Sequence, residues 1–575
     1  MQATNDNVVS SMSRAICLIP LALFIAILFA TQDRRDKLSA IIGIIRSGTP
    51  FLNVSEGAQT HSHICRHALQ RNGARTSPVH CPVQPKSLSQ GPEWDPAADE
   101  GFLRLSHQRL AGAVQIRTES FDDMPYNSSD PRFHEFTRLE AYLKNTYSNF
   151  HAHMQFERVN EHGLLFTWKG SNLSLKPMLL MAHQDVVPVN PHTWNQWTYP
   201  PFSGHLDEQG WIWGRGTTDM KGTLVAILAA TERALSEDFK PERTVLFSFG
   251  FDEEIGGERG ANELAKVIHK RYGTDGISLI VDEGFTGVDV EYDTSFARLG
   301  VAEKGCLTVT IDVSTPGGHS SRPPRHTGVG VMSRLLVEME NNPNMPQLKE
   351  GNPLLSYLEC AAEYGNMEDN LKKMVREEKC WPALAEQMGD DRILQTFLKT
   401  TQAVDIVNGG IKYNALPEYV TSMTNYRIDF FETTQDTFSR LEKILRPIAD
   451  EYNMTFIPYG EDSDVHQNVI RLDTFGIVLE PAPLTPAIGP AWDLMGGTIR
   501  SLFPNAIVVP SAMTAFTDTQ HFWDVSKNIY RFVPASLQMI LNYHMVDERI
   551  HIDAHISTIK FYHRLIWNSA GWASP

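Results

Sequence analysis

Basic residues are in short supply in this chain. Lysine and arginine number 51 against 68 aspartates and glutamates, a formal charge of −17 at pH 7. A nucleic-acid binder normally needs a basic face, so that class is set aside. A dispersed acidic surface aids solubility and says little more. Cysteine is scarce too. The six are Cys17, Cys65, Cys81, Cys306, Cys360 and Cys380, too few for a disulfide scaffold. None of them forms a C-x-x-C pair, which argues against a thiolate zinc site. Cys360 with Cys380 is a candidate disulfide that spacing alone does not establish. Core-building material is plentiful: 575 residues, 42% hydrophobic and 21% charged, imply a globular chain of more than one domain.

One apolar run, Ala15 to Ala30 (AICLIPLALFIAILFA), follows Arg14 and precedes Asp33-Arg34-Arg35-Asp36-Lys37. It is a little shorter than the ~20 residues of a free membrane span, and flanking Thr31 and Gln32 extend it. A cleaved signal peptide and an uncleaved signal anchor both fit, and the anchor is preferred because no persuasive cleavage site follows. Basic residues on both sides leave the orientation open. Four N-x-[S/T] sequons, at Asn53, Asn127, Asn172 and Asn453, all follow the run. Together with it they fit a short cytosolic tail and a lumenal, glycosylated body.

Residues 38–99 carry Ser, Pro and Gly with little sustained periodicity and read as a stalk or extended arm. A helical pattern covers 131–147. Strand-like runs at 178–189, 244–254 and 277–284 each end in polar residues, and an apolar helix spans 223–235. Strands alternating with helices predict a mostly parallel sheet covered on both faces, with ligands bound at the carboxyl ends of its strands. After about Val301 the pattern changes. Strands at 306–314 and 419–430 and helices at 326–341 and 434–450, with a long insert, predict a separate small α+β domain. The first sheet then resumes at 506–513, and a final helix lies near 555–567.

Polar side chains of one chemical kind gather at those strand ends. They are His183-x-Asp185, the loop Gly214–Gly222 with Asp219, Asp252-Glu253-Glu254, Asp282 in VDEG, and His544 in HMVDERI. Divalent ions of borderline hardness favour imidazole and carboxylate ligands. Two such ions need five or six ligands with one carboxylate shared. His183, Asp219, Glu254, Asp282 and His544 form a set of that size. Asp185 is then left to fix the tautomer of His183, and Glu253 to act as a base for water. Taken singly, an HxD or an acidic pair means little. Clustered without counter-charge, however, these carboxylates would repel, and bound cations resolve that cost.

At these residues the chain closely resembles the aminoacylase/carboxypeptidase family of di-zinc metallopeptidases, nearest its fungal vacuolar Gly-Xaa carboxypeptidase branch. The resemblance runs from about Leu105 to the end. It rests on RLAGAVQIRTESFDDM, MAHQDVVPV, WGRGTTDMKG, DEEIGG, PGGHSSRPP, YNALPE and the terminal HxxDERI. It implies an α/β catalytic domain with a mostly parallel mixed sheet, interrupted by a smaller α+β lid that often forms a homodimer surface. It implies two Zn²⁺ per chain, one on His183 and Asp282 and one on Glu254 and His544. Asp219 would bridge them, with a cis peptide to Met220, and Glu253 would be the general base. His319 would polarise the scissile carbonyl, and Asn414 and Arg427 would hold the substrate. The expected boundaries are 1–14 for a cytosolic tail, 15–32 for the anchor, 33–100 for the stalk, 101–301 and 466–575 for the catalytic domain, and 302–465 for the lid.

Two alternatives stay open. His521 in TDTQHFW is also available as the last ligand, although HxxDER matches the family position better. The same metal core would serve an N-acyl-amino-acid hydrolase or synthase, so a small peptide and an N-acyl amino acid are both candidate substrates. A lidless di-zinc aminopeptidase is disfavoured by the separation of 262 positions from Asp282 to His544. A catalytically dead scaffold is disfavoured because every proposed ligand and Glu253 are present.

Overall fold

A computed structural model describes residues 56–70, 81–125, 129–284 and 287–572. The apolar run at 15–32 and the sequons at Asn53 and Asn127 lie outside the described residues. Among the described residues no helix is long and apolar enough to cross a membrane. The chain divides into residues 1–51 and 52–575, and the second unit holds everything that follows.

A nine-stranded sheet forms the body. Its centre is parallel: Met178–His183 lies between Val245–Gly250 and Leu279–Asp282, and Ile529–Arg531 extends the sheet alongside Leu279–Asp282. All three central strands are buried along their whole length. Strands covered on both faces must be apolar throughout, which explains MLLMAH, VLFSFG and LIVD. The flanks depart from the parallel expectation. Gln155–Val159 and Gly163–Trp168 form an antiparallel hairpin that pairs antiparallel with Val245–Gly250. Thr294–Glu303 pairs antiparallel with Val288–Glu291 and parallel with Ile507–Met513. The sheet is therefore mixed, with its parallel part confined mainly to where the strand ends carry polar residues. The helix Lys221–Ser236, apolar on nearly every side, lies buried between this sheet and the C-terminal helix Ile552–Asn568.

A second sheet of five strands runs in the order Thr401–Gly409, Tyr419–Ile428, Gly305–Ser314, Val469–Leu479, Thr455–Ile457. The helices Gly328–Asn341 and Thr434–Glu451 close one face over Leu307, Val309, Ile311, Tyr426 and Leu441. Thr433 and Asp436 form a reciprocal cap at the start of the second helix. The sheet includes Val469–Leu479, beyond residue 465. The insert between its strands packs elsewhere. Helices Pro353–Tyr364 and Trp381–Gly389 bury Leu355, Leu358 and Leu384 in one cluster with Phe296 and Val509 of the large sheet.

The candidate Cys360–Cys380 disulfide is not formed. Cys65 pairs with Cys380 and Cys81 with Cys360, fastening the N-terminal arm to the insert. The described part of the arm also lies against the body rather than standing free as a stalk. The Gln84 amide accepts from the Val508 N–H at 2.8 Å and donates to its carbonyl at 3.0 Å. The Leu88 N–H donates to the Gly497 carbonyl. A Cβ at Gly497 would meet the Lys86 carbonyl at 2.6 Å, so only glycine lets the arm lie this close.

Candidate metal centre

The centre is built from the carboxyl ends of the three parallel strands and two loops. His183 ends its strand, buried to 1% exposure. Its Nε2 lies 3.0 Å from Asp219 Oδ1 and 3.7 Å from Glu283 Oε1. Its Nδ1 lies 3.0 Å from the backbone carbonyl of Asp185 and 3.3 Å from the Asp185 carboxylate. That carbonyl accepts only from an Nδ1–H, which turns Nε2 toward Asp219, where it can bind a cation once its own proton is lost. The Asp185 carboxylate itself accepts the backbone N–H groups of Glu253 and Glu254, both at 3.1 Å. It thereby fixes the turn that carries the two glutamates.

Asp219 joins two half-sites. Its second oxygen, Oδ2, lies 3.0 Å from His544 Nε2, which lies 3.0 Å in turn from Glu254 Oε2. The peptide from Asp219 to Met220 is cis, as expected. His544 holds a left-handed backbone, φ 60°, in a turn that also bends at Asn542 and Asp547. His521 does not join the cluster; its Nε2 meets the Gly256 carbonyl at 3.0 Å. Two overlapping ligand groups result: His183, Asp219 and Glu254, and His183, Glu253 and Glu283.

Asp282 is absent from both groups, and its neighbour Glu283 is present. Successive side chains of a strand point to opposite faces, so only one of two adjacent acids faces a given pocket. Glu283 faces His183. Asp282 is buried, with Oδ2 lacking a hydrogen-bond partner; burial raises its carboxyl to about 6, and Glu303, His183 and Arg531 act on it from nearby. The structure brings Glu283, the neighbour of the expected Asp282, to His183. In the sequence DEG, each acid is equally plausible until the pleat is known.

The electrostatics fit a cation pair. Burial, then Glu283, pushes the Glu253 carboxyl well above its ordinary range. Burial and Asp219 raise Glu254 to about 7 and hold Glu283 well above normal. Burial lowers the His544 imidazole, but its bonds to Asp219 and Glu254 win and carry it up to about 10. The pocket therefore draws in positive charge. The donor set is imidazole plus carboxylate, with one carboxylate offering an oxygen to each half-site. Donors about 3 Å apart suit ions bound at roughly 2.0–2.2 Å. These residues fit two divalent ions.

The remaining expected residues stand apart. His319 is exposed on a two-stranded ribbon in which it pairs with Ala415, next to Asn414. Its Nδ1 takes the Ser321 hydroxyl at 2.8 Å, leaving Nε2 outward. The Arg427 guanidinium lies 5.6 Å from the Phe516 ring. Among the described residues none of these three contacts the cluster. A cavity of about 30 Å³ adjoins Glu283, lined by Thr218, Val533, Leu537, Ile540 and Tyr543.

Residues 179–568 match the model of peptidase family M20/M25/M40. The chain belongs to that family. It is 38% identical over 557 residues to carboxypeptidase S of Saccharomyces cerevisiae, covering 93% of this chain and 96% of that one. It is 32% identical to the mouse N-fatty-acyl-amino acid synthase/hydrolase PM20D1, covering 81% and 88%. Among solved structures, an M20 family metallo-carboxypeptidase of Sulfolobus solfataricus superimposes with a TM-score of 0.57 at 18% identity, over 82% of this chain and 99% of that one. Human carnosine dipeptidase 1 gives 0.58 at 14%, over 84% and 100%. At such identities the structural matches establish the M20 fold alone.

Proposed function

We propose that this chain is a zinc metallocarboxypeptidase that hydrolyses the C-terminal bond of small peptides of the Gly-Xaa type. The observation that carries the reading is Asp219, whose two oxygens each lie 3.0 Å from a different imidazole Nε2. In this reading His183, Asp219 and Glu283 hold one Zn²⁺ and His544, Asp219 and Glu254 the other, Glu283 replacing Asp282. Ions held there would polarise a carbonyl and lower the pKa of water. Glu253, held by Asp185 beside that position, takes the proton of the attacking water and returns it to the leaving nitrogen. His319 donates to the oxyanion through its free Nε2. Arg427 pairs with the terminal carboxylate of the substrate, and Asn414 holds its backbone. All three sit on the small domain, so closure of that domain completes the site. The likeness to carboxypeptidase S supports the substrate class.

The wider reading includes a signal anchor at 15–32, a lumenal vacuolar body, glycans at Asn172 and Asn453, and a homodimer through the small domain. It rests on the sequence and its family resemblance.

A second reading, hydrolysis of N-acyl amino acids, draws on the PM20D1 likeness. Purified protein assayed for bound zinc and against blocked Gly-Leu-type dipeptides beside N-fatty-acyl amino acids tests both. Two zinc ions and turnover of the dipeptides are expected. Turnover of the fatty-acyl substrates alone moves the assignment to the second reading.

A further inference from the structure

Glu548, in the same HxxDERI segment as His544, is fully buried and belongs to neither ligand group. Its carboxylate is nonetheless among the most heavily engaged in the molecule. Oε1 accepts the backbone N–H groups of Gly216 at 2.9 Å, Thr218 at 3.0 Å and Asp219 at 3.3 Å, together with the Thr218 hydroxyl at 2.8 Å. Oε2 takes the Arg215 guanidinium. Converging backbone N–H groups of this kind make an anion-holding nest. Here the anion comes from the chain itself, more than 300 residues away in sequence. The backbone carbonyl of Glu548 also accepts the Gly214 N–H at 2.9 Å.

The loop that Glu548 gathers is the one that presents Asp219. The turn that carries Glu548 is the one that presents His544, four residues earlier. Glu548 therefore fastens together the two segments whose side chains meet at Asp219 Oδ2 and His544 Nε2, 3.0 Å apart. We propose that Glu548 is a positioning residue for the metal pair, setting the distance between the shared carboxylate and His544, so that its loss weakens ion binding at the His544 half-site. This rests on the two-ion reading above.

Glutamine is the sharpest probe. It keeps the shape but places an NH₂ where only acceptors fit. Whichever way the amide turns, it faces either the Arg215 guanidinium or the four donors on Oε1. Apoprotein of the wild type, Glu548→Gln and Thr218→Val is titrated with Zn²⁺ and, separately, with Co²⁺, following ion stoichiometry, stepwise affinity and the visible spectrum of the cobalt form. Leu445→Ala, in the core of the small sheet, serves as a destabilised control. The expected result is roughly 10–100-fold weaker binding of one ion in Glu548→Gln, as for loss of a ligand's supporting partner, with an altered cobalt spectrum. Thr218→Val should show a smaller loss and Leu445→Ala none. If Glu548→Gln binds both ions as the wild type does, the proposal is overturned. If it does not fold, Thr218→Val decides: weakened binding supports the proposal and unchanged binding overturns it. A loss of equal size in Leu445→Ala also overturns it, since Glu548 would then act only through stability. A wild type that binds no ion sinks the two-ion reading itself, a result separate from any difference among variants.

Discussion

Around Asp219, two imidazoles and Glu254 already stand 3.0 Å from their neighbours. His319 and Asn414, at the two-stranded ribbon, and Arg427, on the five-stranded sheet, touch none of those groups among the described residues. The first region is assembled by the sheet. Parallel strands deliver His183 and Glu283 to one edge, and the connecting loops are held by backbone N–H groups that donate to the Asp185 and Glu548 carboxylates. The second region belongs to a different core, with its own helices. Ion binding demands fixed geometry before substrate arrives, whereas substrate capture tolerates, and gains from, parts that come together on binding. The comparison predicts that changes in the first region alter metal content or chemistry, while changes in the second alter substrate binding with the metal intact.

The largest effect is expected at Glu253. Glu253→Gln should lower kcat by about 10²–10⁴-fold, the usual weight of a proton-transfer group, with zinc content unchanged. Near-normal turnover would remove Glu253 from the chemistry. Next comes the contrast between adjacent acids. Glu283→Gln should weaken binding of one ion by more than the roughly 10–100-fold typical of a supporting partner, whereas Asp282→Asn should leave ion affinity near that of the wild type. The reverse result would restore Asp282 as the ligand. A smaller change is expected at Arg427. Its charged hydrogen bond to a carboxylate would contribute about 1.5–3 kcal/mol, so Arg427→Ala should raise KM about 10–100-fold at constant zinc. Loss of zinc in that variant would break the division between the two regions.

What was legible in the sequence follows the same division. The central strands were readable because burial on both faces leaves unbroken apolar runs ending abruptly in His183, Asp252 and Asp282. The sequence did not reveal which of Asp282 and Glu283 faces the pocket, since that depends on the pleat. Glu548 was visible as part of a motif, but its partners lie on a loop more than 300 residues away, and spacing carries no trace of such a contact. The disulfides failed for the same reason. Cys360 and Cys380 are near in sequence, yet each pairs across a separation of 279 or 315 residues. The strand Val469–Leu479 was missed because its outer half is mostly exposed and holds Asp473 and Gly476, which blurs the alternation that marked 306–314.

The smallest effect expected concerns stability, and it separates the body from the small domain by pH. His555 lies in the C-terminal helix at 0% exposure, and neither ring nitrogen has a hydrogen-bond partner. Burial, with some help from His107, lowers its pKa to about 4. In the unfolded chain the ring titrates near 6.5. Between those values the unfolded state binds the extra proton, so acid favours unfolding. The stability present above pH 6.5 is lost progressively as pH falls toward 4. At pH 5 this one group should cost about 2 kcal/mol relative to neutral pH. His555→Leu removes the titrating group, though the altered packing carries its own cost. The measurement is therefore the slope of stability against pH from 7 to 5, from denaturant melts read at Trp492 and its neighbours in the body. The wild type should lose about 2 kcal/mol more across that interval than His555→Leu. Equal slopes would mean that the ring is already charged in the folded body, or finds a partner there, and that the acid sensitivity of the body arises elsewhere.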